Sequence, residues 1–208
     1  MKWNKLACMI DPSATLAEFL EAAAAKTPAP GGGAVAAVAG ALAAAMGEMV
    51  LNYSVAKKDL LQFAETNKEA LHELTKARAV LIELMREDQA AFEALTAAKK
   101  NGGDVAASVR TAIGVPQSIG ATAVAILRIA TTIVDTSNRW LLSDLAVCGE
   151  LATATVRCAV HNVRANFPDL QDEGARNALN GECREMVQRA VSLVNELMGK
   201  IDARTSAV

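Results

Sequence analysis

Aromatic side chains are scarce in this chain: one tyrosine, two tryptophans and four phenylalanines among 208 residues. With hydrophobic residues at 52%, the core must be assembled from Ala, Leu, Val, Ile and Met, which favours close helix-on-helix packing. No stretch alternates as a strand would, so the expected fold is all-α, a multi-helix bundle. The four cysteines, Cys8, Cys148, Cys158 and Cys183, are widely spaced without a CxxC pair. That spacing argues against a disulfide framework or a zinc knuckle and for buried thiols. Cys158 and His161 sit three apart but supply only two ligands, so no metal site is expected. His72 lies among Glu69, Glu73 and Lys76 on a wet face, and no Ser-His-Asp set can be assembled.

A net charge of −2 gives no electrostatic footprint for nucleic acid or an anionic membrane. The expected partner is a small molecule or another protein chain. Lys2, Asn4 and Lys5 flank only a short apolar patch ending at Asp11, unlike a signal peptide, and the 34–47 run is shorter than a membrane span. A cytoplasmic protein is therefore expected. No Pro/Ser-rich linker divides residues 1–208, which read as a single helical domain.

Thr15 and Glu18 form a capping-box pattern that opens a helix ending before Pro28. A second helix is expected from about 33 to 52 or 53. Residues 60–98 contain neither Pro nor Gly, predicting one long helix of roughly 58 Å. Asn101-Gly102-Gly103-Asp104 reads as a helix stop followed by a helix start. Later helices are expected at about 104–113, 116–135 with Pro116 in the first turn, 143–166 and 173–200.

Two helical stripes break pattern. On the long helix the apolar series Leu74, Ala77, Leu81, Leu84, position 88, Ala91 and Leu95 is interrupted by Asp88. A carboxylate on a core-facing stripe is costly unless it is paired or hydrogen-bonded. It is either an ion pair or cap across an interface, or a carboxylate held in a cleft for proton transfer. After Ser143, the series Asp144, Cys148, Ala152, Thr155, Ala159, Asn162 and Asn166 is small and polar. Asp144 and Asn162 are five turns apart, about 27 Å, too far to share one site within a subunit. Asp144 reads as a helix cap, while Asn162 and Asn166 are candidates for adjacent hydrogen bonds to a heteroaromatic ligand.

Pro28-Ala29-Pro30-Gly31-Gly32-Gly33 precedes a helix that is small and apolar all round, carrying Ala34, Ala36, Ala37, Ala39, Ala41, Ala43, Ala44 and Ala45. Such a helix is buried deeply or packed against another subunit. Gly31-Gly32-Gly33-Ala34-Val35-Ala36 formally matches G-x-G-x-x-A, but no strand precedes it and no Gly-Lys-Ser/Thr follows. The dinucleotide and P-loop readings therefore fall. What survives is a helix start with free amides able to accept a carboxylate, carbonyl or heterocycle edge, or simply a tightly packed turn. Lys57 and Lys58 close this apolar helix, as solvated cations often do.

Taken in order, Thr27-Pro28-Ala29-Pro30-Gly31-Gly32-Gly33, Met49-Val50 through Lys57-Lys58, Asp88 to Phe92, Ser143-Asp144-Leu145 and Asn162-Val163 with Asn166 resemble the cyclodeaminase/cyclohydrolase family that acts on one-carbon tetrahydrofolates. Ala34 and Ala56 depart from the family's residues at those positions, and the segment after Leu95 is shorter and lacks a Leu-Pro. The resemblance implies an all-α homodimer with folate sites at or near the subunit interface, formed through the small-residue helix. It places Asp88 on the family's catalytic aspartate and Lys57 on a catalytic lysine. It further implies that Gly31, Gly32, Gly33, Asn162 and Asn166 meet the pterin, that Arg139 or Lys58 meets the glutamate tail, and that Asp144 belongs to the binding site. Without a cofactor or metal, the implied reaction is hydrolysis of 5,10-methenyltetrahydrofolate to 10-formyltetrahydrofolate. The alternatives are cyclodeamination of 5-formiminotetrahydrofolate with ammonia release, and a non-catalytic folate-binding or scaffold dimer.

Overall fold

The computed structural model describes residues 14–206, and within them every regular element is helical. Six α-helices follow one another: α1 (Leu16–Ala24), α2 (Gly32–Asn52), α3 (Ala64–Asn101), α4 (Val105–Ile133), α5 (Leu142–Ala165) and α6 (Glu173–Ser206). The capping box at Thr15 forms as expected, Glu18 N–H donating to Thr15 Oγ1 at 3.3 Å and Thr15 N–H to Glu18 Oε2 at 2.7 Å. Gly102 ends α3 in the left-handed conformation at φ 72°, and Asp104 opens α4 by accepting from Ala107 N–H at 2.9 Å. The long helix starts later than its composition predicts, because residues 58–63 tighten into a 3₁₀ turn before it, and it runs on to Asn101.

Pro116 is where the sequence misleads. Two helices were expected to meet there, yet α4 runs unbroken through a buried Pro116. Proline has no N–H, so the Ala112 carbonyl four residues earlier loses its helical donor. Asn166 supplies the missing donor from the end of α5, Nδ2 to Ala112 O at 3.1 Å, and also donates to Asn162 O at 3.0 Å. A compensating group some fifty residues downstream keeps the helix whole.

α2 lies between α3 and α5 and is antiparallel to both. Its glycines explain how closely they approach. A Cβ on Gly40 would lie 3.1 Å from Leu81 and 3.0 Å from Thr155; one on Gly47 would lie 2.8 Å from Leu74 and 3.4 Å from Cys148. Gly33, Gly40 and Gly47 step by seven, as do Asp88, Leu81 and Leu74 on α3 and Asn162, Thr155 and Cys148 on α5. The two irregular stripes of the sequence are thus the two faces that clasp one glycine-notched helix. Cys148 is sealed there, its thiol pushed up to about 12 by burial, while Cys183 is also buried and Cys158 is exposed; Cys8 lies outside the described residues.

α4 and α6 run parallel to α2, so the bundle has two distinct ends. The starts of α2, α4 and α6 share one end with the last turns of α3 and α5. At the other end, Lys200 Nζ donates to Thr131 O at 3.3 Å and Arg204 donates to Val134 O, placing cations on the last carbonyls of α4. Gly32–Asn52 and Val105–Ile133 are long and apolar enough to cross a membrane, which corrects the expectation that the alanine-rich run is too short. Most of each apolar window is packed inside the bundle, and that burial accounts for its hydropathy.

Candidate functional site

The start of α2 carries an unusual number of bare backbone groups. Gly31 occupies the cap position in an extended conformation and offers no side chain to the first amides of the helix. Asp88 fills that role from α3: its carboxylate rests against Gly33, where any Cβ would overlap it, and it accepts from Ala34 N–H. The capping reading of Asp88 is therefore seen directly, and the carboxylate also stands in a partly desolvated position. Burial pushes its pKa above the ordinary aspartate value, and the Ala34 N–H opposes that rise only in part. The carboxylate is thereby made a stronger base than an ordinary aspartate.

Asn162 approaches from α5. Its Oδ1 would lie 3.0 Å from a Cβ on Gly32, while its Nδ2 donates to Cys158 O at 2.8 Å. The glycine loop, Asp88 and Asn162 meet at the head of α2, although the loop and Asp88 looked like separate features in the sequence. Asn166 stands one turn further along α5, with both of its recorded donations directed to Ala112 O and Asn162 O. It ties this end of α5 to α4.

Lys57, Lys58, Arg139 and Asp144 lie at the other end of the bundle. Twenty-one residues of α2 separate the two groups by about 31 Å. Within one chain Lys57 therefore cannot reach Asp88. Its Nζ instead pairs with Asp59, whose carboxyl is held below its usual range by that hydrogen bond. Asp144 is not the cap of α5; that position is Leu141, and Asp144 sits in the first turn, where its charge suits the helix dipole. The 134–138 loop beside these residues is pinned by Asn138 N–H donating to Ser54 Oγ at 2.9 Å and by a two-way bond between Asn67 and Thr136. Arg139 stacks over the exposed Trp140 ring with its Cζ 4.9 Å from the centroid. Among the described residues no group of three or more His, Cys, Asp or Glu side chains could hold a metal ion.

Sequence reasoning assigned Phe92 no role. It follows Asp88 by one turn and is 45% exposed, although Met85, seven residues earlier on the same side of α3, is only 3% exposed. The signal was available as an aromatic four residues after the carboxylate in a chain that has few aromatics.

Comparison with known proteins agrees with this architecture. A methenyltetrahydrofolate cyclohydrolase of Methylorubrum extorquens is 30% identical over 169 residues, covering 76% of this chain and 81% of that protein. A formimidoyltransferase-cyclodeaminase of Rattus norvegicus is 26% identical over 202 residues, 92% of this chain but only 37% of that longer protein. A solved structure of formiminotetrahydrofolate cyclodeaminase from Thermotoga maritima superimposes with a TM-score of 0.87 at 26% identity, covering 92% of this chain and 97% of that one. The family profile described as formiminotransferase-cyclodeaminase matches residues 15–185, and the chain belongs to that family.

Proposed function

We propose that this chain is a methenyltetrahydrofolate cyclohydrolase of one-carbon metabolism, converting 5,10-methenyltetrahydrofolate reversibly to 10-formyltetrahydrofolate. The observation that carries the reading is Asp88: a carboxylate raised in basicity by burial, without a paired cation among the described residues, at an open helix start. The substrate's amidinium is a planar cation, and such a carboxylate both attracts it and takes a proton from the attacking water. Water oxygen bonds to the former methenyl carbon, and one water proton passes to Asp88. The carbon–N5 bond then breaks as the carbonyl forms on N10. Asp88 returns its proton to N5, and the hydroxyl proton leaves to solvent. Asn162 and the amides of residues 31–33 hold the pterin edge, and no cofactor is required.

The active unit is a homodimer. α2 presents a solvent-facing strip in which Val35 is 44% and Leu42 is 53% exposed, continued by the half-buried Val38, Met46 and Met49. Antiparallel pairing of this strip about a two-fold axis near Leu42 sets the end bearing Lys57 against the partner's end bearing Asp88. The partner's Lys57 then supplies the hydrogen bond to the developing oxygen that Lys57 of the same chain is too distant to give, with Arg139 or Lys58 beside it for the glutamate tail. Among the described residues three free thiols, two of them buried, suit a cytoplasmic location.

The Thermotoga neighbour, described as a formiminotetrahydrofolate cyclodeaminase, supports a second reading in which N10 attacks the formimino carbon and Asp88 protonates departing ammonia. Incubation of the purified protein with each substrate separates them. Loss of methenyl absorbance without ammonia release from the formimino compound supports the hydrolase, and ammonia release supports the cyclodeaminase. Neither would leave a non-catalytic folate-binding dimer.

A further inference from the structure

We propose that Phe92 is the charge-discriminating residue of this site, a ring face that favours the cationic methenyl folate over its neutral formyl product; the inference rests on the folate reading above. Successive α3 positions facing the bundle, Leu74, Leu81, Met85, Ala91 and Leu95, are all buried. Phe92 falls within the same arc of the helix, seven residues after Met85, yet nearly half of it is open. The reason is that α2 has ended by this level. Asp88 meets Gly33 in the first turn of α2, so one turn further along the antiparallel α3 no further turn of α2 lies alongside. A large aromatic on a core-facing arc is thus left uncovered beside a carboxylate. Side chains four apart on a helix are neighbours, and a cation held between the Asp88 oxygens and the Phe92 face meets negative potential on both sides. A neutral formamide in the same place gains from neither.

The test measures binding without turnover. In the Asp88→Asn background, dissociation constants for methenyltetrahydrofolate and 10-formyltetrahydrofolate are determined with Phe92, Phe92→Leu and Phe92→Tyr. Leucine keeps the apolar bulk and removes the ring face; tyrosine keeps both. The expected result is that Phe92→Leu weakens the cationic ligand about tenfold, within the cation–π range, and the neutral ligand less than twofold, while Phe92→Tyr binds both as Phe92 does. Equal weakening of both ligands, or no weakening of either, overturns the proposal while wild-type turnover on methenyltetrahydrofolate still stands. If Asp88→Asn with Phe92 intact binds neither folate and the wild type turns neither over, the folate reading falls and this inference falls with it.

Discussion

The carboxylate of Asp88 occupies the space above Gly33 that a side chain would otherwise fill, and it caps the helix whose first turn holds Gly33. One contact thus couples the bare glycine turn to the carboxylate proposed to move the proton. Gly33→Ala forces the carboxylate to move, and a small misplacement of a reacting group is costly. The expected loss in kcat/KM is about tenfold to a hundredfold. Gly199→Ala on α6 is the control, since its Cβ would meet nothing within 4 Å, and steady-state kinetics on both variants should separate them.

Asp88 also sets a pH signature. Its folded-state pKa is raised, so between the ordinary aspartate value and the raised one the folded protein binds more protons than the unfolded chain. Stability at this position therefore declines as pH rises through that window, and the loss persists above it. Asp88→Asn removes the titration and should melt higher than wild type at neutral pH, with the gap closing below the ordinary aspartate range. Thermal melts across pH check this. The acid limb of wild-type kcat/KM should likewise lie above the ordinary aspartate value.

Asn166 is expected to act on stability through Pro116. Asn166→Ala leaves Ala112 O without a donor and should cost about 1–3 kcal/mol in denaturant unfolding. In a Pro116→Ala background the restored N–H can bond that carbonyl, so the same substitution should cost about 1 kcal/mol less. Additive effects would mean that the two residues are not coupled.

Lys57 and Asp88 test the dimer. Lys57→Ala and Asp88→Asn should each be inactive alone. Mixed under subunit exchange at equal amounts, they should recover about a quarter of wild-type activity, because half the dimers are mixed and one site in each of those is intact. A site confined to one chain recovers nothing.

Much of this arrangement is visible in the sequence. The Leu74–Leu81–Asp88 and Cys148–Thr155–Asn162 series follow from helical periodicity alone, and the caps at Thr15 and Asp104 from the residue types found there. That both series face the same helix is a tertiary fact, carried by glycines at 33, 40 and 47 whose spacing gains meaning only once neighbours are known. Pro116 misled because local propensity ends a helix there, whereas the group that rescues it comes from another element. The separation of Lys57 from Asp88 was implicit in the length of α2, but only the antiparallel packing shows that they end at opposite poles.

The central claim is that Asp88 moves the proton, and its most direct test is kcat/KM for methenyltetrahydrofolate in wild type and Asp88→Asn, with circular dichroism and thermal melting on both. The account predicts a loss of about 10²–10⁴-fold in a variant that is folded and no less stable at neutral pH. An Asp88→Asn protein that hydrolyses the substrate as fast as wild type, above the uncatalysed rate, would contradict it.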